Sequence, residues 1–344
     1  MNKKIITTVL LFILIFTLGC GAKKESKVLY IYNWDYYIPE EILTEFEKNF
    51  NVKIEYITFS SNEEMYENIL KNSNFDIVFP SGDIIPMMIK KDLLEKLDRT
   101  KIPNFRHINS DILKKINFDT GNKYTVPYMI GAAGIAVNTK YVKNYKKDYS
   151  IFELSEYQGK STMLDDMREV IGAALSSFGY SVNSINEVEL EEATKKLEKW
   201  DNNIAKYDST TFGIEFSEEK YWIAQCYAEN IFLELSNDMS EDVDFFIPKN
   251  GGTMYLDNMA ILKLSNNKEL AYKFINFIHE PQNYAKICDY LLVPSINDRA
   301  NDFLKEEPLY TIDELNNCEF INYLGDDLKK YEKIWDSISK QEQD

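Results

Sequence analysis

Hydrophobic and polar positions in the first part of the chain alternate between two periods. Val28-Leu29-Tyr30-Ile31-Tyr32 is an unbroken apolar run, the pattern of a strand covered on both faces. Pro39 then opens a helix that carries Ile42, Leu43, Phe46 and Phe50 on one side. Val52 to Ile57 returns to strict alternation and predicts a second strand. Ser61 or Asn62 caps a second helix with Met65, Ile69 and Leu70 on its apolar face. Phe75 to Phe79 predicts a third strand, stopped by Pro80-Ser81-Gly82. Strands alternating with helices in this way predict a mainly parallel sheet flanked by helices, an α/β architecture.

The run from Tyr128 to Val137 contains Gly131, Ala132, Ala133 and Gly134 and reads as a passage from one folding unit to the next. A second α/β unit follows. Its helices include Glu189 to Trp200, with Leu190, Ala193, Leu197 and Trp200 on one stripe. Gly251-Gly252 begins a segment, Met254 to Leu264, that crosses back. Lys268 to Ile278 then predicts a helix with Leu270, Phe274 and Phe277 on one face. The 344 residues exceed what one core usually holds, and the 44% apolar content supports two.

The N-terminus carries a different signal. Asn2-Lys3-Lys4 precedes an apolar run, Ile5 to Leu18, that ends at Gly19-Cys20. The run is too short for a comfortable membrane span and has the layout of a secretory signal. A small residue before Cys at the end of such a run resembles a bacterial lipoprotein cleavage site, although Thr17 stands where Leu is usual. Residues 1–19 are therefore expected to be a lipoprotein signal peptide, with lipid carried on Cys20, and residues 20–27 a polar, Lys-rich tether. Cys226, Cys288 and Cys318 remain, an odd and widely spaced set that makes no disulfide framework.

The formal charge is -17, from 56 acidic and 39 basic residues, and the basic residues are scattered. That distribution argues against a nucleic-acid partner, which needs clustered Lys and Arg. No HExxH, CxxC, GxSxG, Walker A or GxGxxG motif occurs, and the two histidines, His107 and His279, are far apart. No cofactor and no enzymatic reaction are expected.

Three stretches combine carboxylates with aromatic residues near predicted strand ends: Asn33 to Tyr37, Leu164 to Val170 and Gly252 to Asp257. In open α/β sheets ligands sit beyond the carboxyl ends of strands. Carboxylates together with aromatic faces suit an organic ammonium ion. Its N–H groups need acceptors, each charged hydrogen bond contributing about 1.5–3 kcal/mol. Ring faces attract the cation and cover its methylene chain. Structural readings stand beside these: Asp166-x-x-Glu169 equally matches a helix capping box. Trp34 and Tyr37 equally fit a core, and Tyr255 and Asp257 an ordinary strand alternation. Rival readings are a receptor for ferric ion or another cationic solute built on the many tyrosines, a surface hydrolase using Asp166 and Glu169, and an adhesin with a decayed pocket.

At these residues the sequence resembles the spermidine/putrescine-binding proteins of bacterial polyamine ABC importers. The matching pieces are Tyr-Asn-Trp-x-x-Tyr at 32–37, Ser-Asn-Glu-x-Met-Tyr at 61–66 and Phe-Asp-Ile-Val-x-Pro-Ser at 75–81. Val-Pro-Tyr at 126–128, Asp-Asp-x-Arg-Glu-Val at 165–170, Gly-Gly at 251–252 with Asp257, and Ile-Asn-Phe at 275–277 follow in order. Together they cover nearly all of the chain beyond the tether.

The resemblance implies a two-lobed periplasmic-binding-protein-like fold of type II, with the ligand cleft at the hinge. Lobe 1 is expected to hold residues 28–130 and 257–302, and lobe 2 residues 131–256 and 303–344. It implies aromatic walls at Trp34, Tyr37 and Tyr255, a polar contact at Ser81, acids for one terminal ammonium at Asp166 and Glu169, and an acid for a second nitrogen at Asp257. Tyr227 stands where another Trp is usual, and Ser209 is a further polar position. Asp35 and Tyr36 complete the first stretch. Asp83 replaces a usual Tyr, Val293 a wall Tyr and Ile321 a Gln near the third nitrogen, so the preferred ligand can be spermidine, putrescine, cadaverine or another diamine. The implied partners are a polyamine and the permease and ATPase of an ABC importer. The expected protein is a monomer, lipid-anchored in the periplasm or on the outer face of the cytoplasmic membrane.

Overall fold

The computed structural model describes residues 27–71 and 74–338. Cys20 and the signal segment lie outside the described residues. Among the described residues, eleven strands fall into two sheets. The first sheet holds β1 (Lys27–Trp34), β2 (Val52–Phe59), β3 (Ile77–Val78), β4 (Thr125–Ala132), β10 (Thr253–Ile261) and β11 (Glu319–Phe320). The second holds β5 (Gly134–Asn138), β6 (Ser161–Met163), β7 (Ile204–Tyr207), β8 (Ile223–Cys226) and β9 (Val243–Phe246). The longer helices are α1 (Glu40–Phe50), α2 (Asn62–Lys71), α3 (Met167–Ser177), α4 (Glu187–Asp201), α5 (Lys268–Ile278), α6 (Pro281–Leu291) and α7 (Leu328–Ile338).

Both sheets are mixed. β2-β1-β3 and β7-β6-β8 run parallel, as strand-helix-strand units must. The strands that carry the chain between sheets run antiparallel to their neighbours: β10 to β3 and β4, and β5 to β8 and β9. A strand that returns from the other lobe enters its sheet from the opposite end, so the crossover strands reverse direction.

The predicted faces are the buried ones. Ile42 and Phe46 of α1 are buried, and the Phe46 ring meets Phe274 of α5 edge-on at 5.0 Å. Leu190, Ala193, Leu197 and Trp200 form the buried stripe of α4. Both β4 and β5 are buried along their whole lengths, which explains their near-continuous apolar sequence.

The chain passes between the sheets three times: at Ala133, between Phe246 and Thr253, and after Phe320. The second passage uses Gly251, held at φ +79°, where any side chain would meet the Asn317 backbone. Residues 253–256 thus lie in the first sheet, ahead of the expected return at 257. β11 also lies in the first sheet, beyond the expected departure at 303. The third passage then delivers α7 to the second core, where Tyr331 and Ile338 are buried. All three passages leave from one row of the first sheet: Met254 pairs with Ala132 on one side and with Phe320 on the other.

Candidate functional site

One face of β10 organises the junction between the lobes. Thr253, Tyr255 and Asp257 alternate along it, so the pleat points all three the same way. Each meets a partner from elsewhere in the chain.

Asp257 lies at a register shift in the β4–β10 ladder, and such irregularities re-aim side chains. It is 5% exposed and accepts hydrogen bonds from the Tyr37 hydroxyl (2.6 Å) and the Ser81 hydroxyl (2.5 Å). Burial lifts its carboxyl to about 6, while the Ser81 and Tyr37 hydrogen bonds oppose the shift. Tyr37 is itself fixed from behind, because the Tyr128 hydroxyl donates to the Tyr37 carbonyl at 2.5 Å.

Glu169 projects from the first turn of α3 and is 2% exposed. It accepts from the Tyr227 hydroxyl at 2.9 Å and from the Thr253 hydroxyl of β10. Burial, reinforced by the Asp166 charge, raises it to about 7. The close approach of α3 to β10 depends on Gly172, where a Cβ would sit 2.5 Å from the Thr253 methyl group.

Asp166 is the N-cap of α3, accepting from the backbone N–H groups of Arg168 (2.8 Å) and Glu169 (3.1 Å). The capping box is only half made, because Glu169 turns to Tyr227 and Thr253. Arg168 donates to the Asn322 carbonyl (3.0 Å) and to Asn183 Oδ1 (2.8 Å), tying the start of α3 to the third passage.

Between these two acids stand Tyr227 and Tyr255, their rings edge-to-face with centroids 5.5 Å apart. Tyr255 lies across β4 at Gly131, where a Cβ would meet its ring and hydroxyl. Its hydroxyl donates to Glu229 Oε1 at 3.3 Å. Burial raises Glu229 to about 7.

Trp34 is half-buried against Phe59, with centroids 4.5 Å apart, and its Nε1–H donates to the Phe79 carbonyl at 3.0 Å, two residues before Ser81. Asp83 accepts from Asn62 at 3.3 Å and borders a cavity of about 290 Å³ with Phe118, Ile321, Asn322 and Tyr323. Burial raises Asp83 to about 7 against the pull of the Arg168 guanidinium.

The structure therefore gathers Tyr37, Ser81, Glu169, Tyr227, Tyr255 and Asp257 around β10, with Trp34, Asp83 and Asp166 at the margins. Asp35 and Tyr36 stand apart on the exposed turn after β1. Asp35 accepts the Tyr36 backbone N–H, and Tyr36 is 56% exposed at φ +54°. Val293 is a buried core residue. Two residues that meet the site, Thr253 at Glu169 and Glu229 at Tyr255, were not singled out from sequence. Thr253 was legible as the next same-face position on β10; Glu229 had no signal beyond lying two residues after Tyr227.

Among the described residues no three His, Cys, Asp or Glu side chains gather to hold a metal ion. Cys226, Cys288 and Cys318 are free and buried.

Comparison with known proteins gives this arrangement a family. The spermidine/putrescine-binding periplasmic protein of Escherichia coli is 32% identical over 324 residues, 91% of this chain and 92% of that one. The putrescine/cadaverine-binding protein of Pseudomonas aeruginosa is 28% identical over 309 residues, 86% and 87% of the two chains. The crystal structure of the TpPotD lipoprotein of Treponema pallidum superposes with a TM-score of 0.88 at 39% identity, over 91% of this chain and 99% of that one. The profile described as bacterial extracellular solute-binding protein matches residues 41–312. With its two lobes, the buried acids and tyrosines at their junction and this extent of similarity, the chain belongs to the bacterial extracellular solute-binding protein family.

Proposed function

We propose that this protein captures a polyamine or diamine between its lobes and presents it to the permease of an ABC importer. The observation that carries the reading is the pair of buried acids, Asp257 and Glu169, each already holding two hydroxyl donors and separated by the Tyr227 and Tyr255 rings. Hydroxyl donors orient a carboxylate without neutralising it, which leaves negative charge for an ammonium ion. A sugar needs mixed neutral partners, and a phosphate is repelled. The names of the relatives support the ligand class.

In this reading Asp257 and Glu169 hold separate nitrogens, Tyr37, Tyr227, Tyr255 and Trp34 cover the carbon chain, and Ser81 and Asp166 support the acids. Asp83 serves the outer end of the cleft beside Ile321. The protein works as a monomer without covalent chemistry, held at the membrane by lipid on Cys20 and facing the periplasm or the outer surface.

Titration calorimetry of the signal-free protein tests the reading. Saturable heat with at least one of spermidine, putrescine and cadaverine is expected, together with a raised melting temperature. Neither heat nor a thermal shift with any of them overturns it.

A further inference from the structure

Glu229 differs from the other acids of the cleft in one respect. Asp257 and Glu169 each have a hydroxyl donor on both carboxyl oxygens. Glu229 has one long hydrogen bond from a side chain, Tyr255 to Oε1 at 3.3 Å, and its own backbone N–H faces the carboxylate, while Oε2 is buried with no hydrogen-bond partner among the described residues. A buried acceptor left unfilled is costly, and native structures rarely keep one without a use for it.

The surroundings define that use. Glu229 sits on a single helical turn, Ala228–Phe232, that follows β8 of the second sheet, and it reaches the face of β10 in the first. Along that face, Thr253 meets Glu169, Tyr255 meets Glu229, and Asp257 itself is the third acid. The acids therefore follow one another at successive same-side positions of a strand, a step of about 7 Å in backbone rise. Tyr37, Tyr255, Tyr310, Tyr227 and Asp257 are near enough to Glu229 to interact with its charge, and no lysine, arginine or histidine opposes its raised carboxyl among the described residues.

We infer that Glu229 is a third ligand-binding acid of this cleft, whose Oε2 accepts an N–H of the primary ammonium group held beside Asp257. A primary ammonium has three N–H donors and can serve two carboxylates at once. A secondary ammonium has two N–H donors, one for each acid with none to spare, whereas an acylated nitrogen has one and no charge and leaves an acid unpaired. Glu229 thereby makes this end of the cleft selective for a charged amine over an acylated one. The inference rests on the polyamine reading above.

Calorimetry of the wild type and Glu229→Gln with 1,4-diaminobutane tests it, each titration run in two buffers of different ionisation heat to count protons released. Glu229→Gln is expected to weaken binding by about tenfold or more and to lower the proton release near pH 7. Equal affinity and equal proton release in the two proteins overturn the inference and leave the polyamine reading standing. No binding by the wild type to any di- or polyamine overturns both. If Gln at this position prevents folding, as judged by a melting curve, Glu229→Ala is read against the same two outcomes.

Discussion

Asp257 and Glu169 bracket the same cleft but are held in opposite ways. Both donors to Asp257, Tyr37 and Ser81, come from its own lobe, and Ser81 also forms an isolated bridge with it. Glu169 takes one donor from its own lobe, Tyr227, and one from the other, Thr253. Asp257 is therefore oriented whatever the angle between the lobes. The setting of Glu169 depends on that angle. On the proposed reading, the first acid would receive a cation on an open protein and the second would complete its coordination as the lobes come together.

The severest test of this contrast is Asp257→Asn. It should weaken diamine or polyamine binding by about 2 kcal/mol or more, roughly thirtyfold, because a buried ammonium loses its charged acceptor. Unchanged affinity by calorimetry would remove Asp257 from the site.

Next in size is pH dependence. Burial raises Asp257 to about 6 and Glu169 to about 7, so the native ligand-free protein holds protons that the unfolded chain releases. Its stability should fall as pH rises from about 4 to about 7 and level off above that range. Affinity should move the other way, rising by up to about tenfold per pH unit for each proton given up on binding. Melting curves with and without ligand between pH 5 and 8 read both trends, and parallel trends would contradict the proposed role of the acids.

A finer test separates the two donor sets. Thr253→Val and Ser81→Ala should each cost about 1 kcal/mol of binding. Only Thr253→Val should also enlarge the ligand-free protein in small-angle scattering, since it alone removes a hydrogen bond between lobes. The smallest effect concerns the cap of α3. Asp166→Ala should lower stability to urea by about 1 kcal/mol, whereas Asp166→Asn, which can still cap, should spare stability while lowering affinity.

Much of the fold was legible because its signals are local. The periods of α1, β2 and α4 follow from which side faces a core, and the Gly251-Gly252 turn marks the second passage. The points where the chain changes lobe were less legible. Residues 253–256 continue the same alternation as 257–261, so nothing in the pattern shows that the whole strand belongs to one sheet. The site residues divide in the same way. Asp257, Tyr255 and Glu169 belong to motifs that read directly from sequence. Asp166 caps α3, as the structural reading expects, and lies three residues from Glu169. Glu229 escaped because its contact with Tyr255 comes from a strand 26 residues away. Asp35 and Tyr36 follow Trp34 in sequence but lie on an exposed turn, Tyr36 with a left-handed backbone.

The row formed by Ala132, Met254 and Phe320 has a mechanical consequence. Three covalent connections leaving side by side from one hydrogen-bonded edge act as a flat flexure. Such a strip bends across its thin direction, while its width resists shear and torsion. The two halves are left with essentially one way to swing, so a membrane partner that grips both outer surfaces meets them at a fixed azimuth and reads a single variable, the degree of closure.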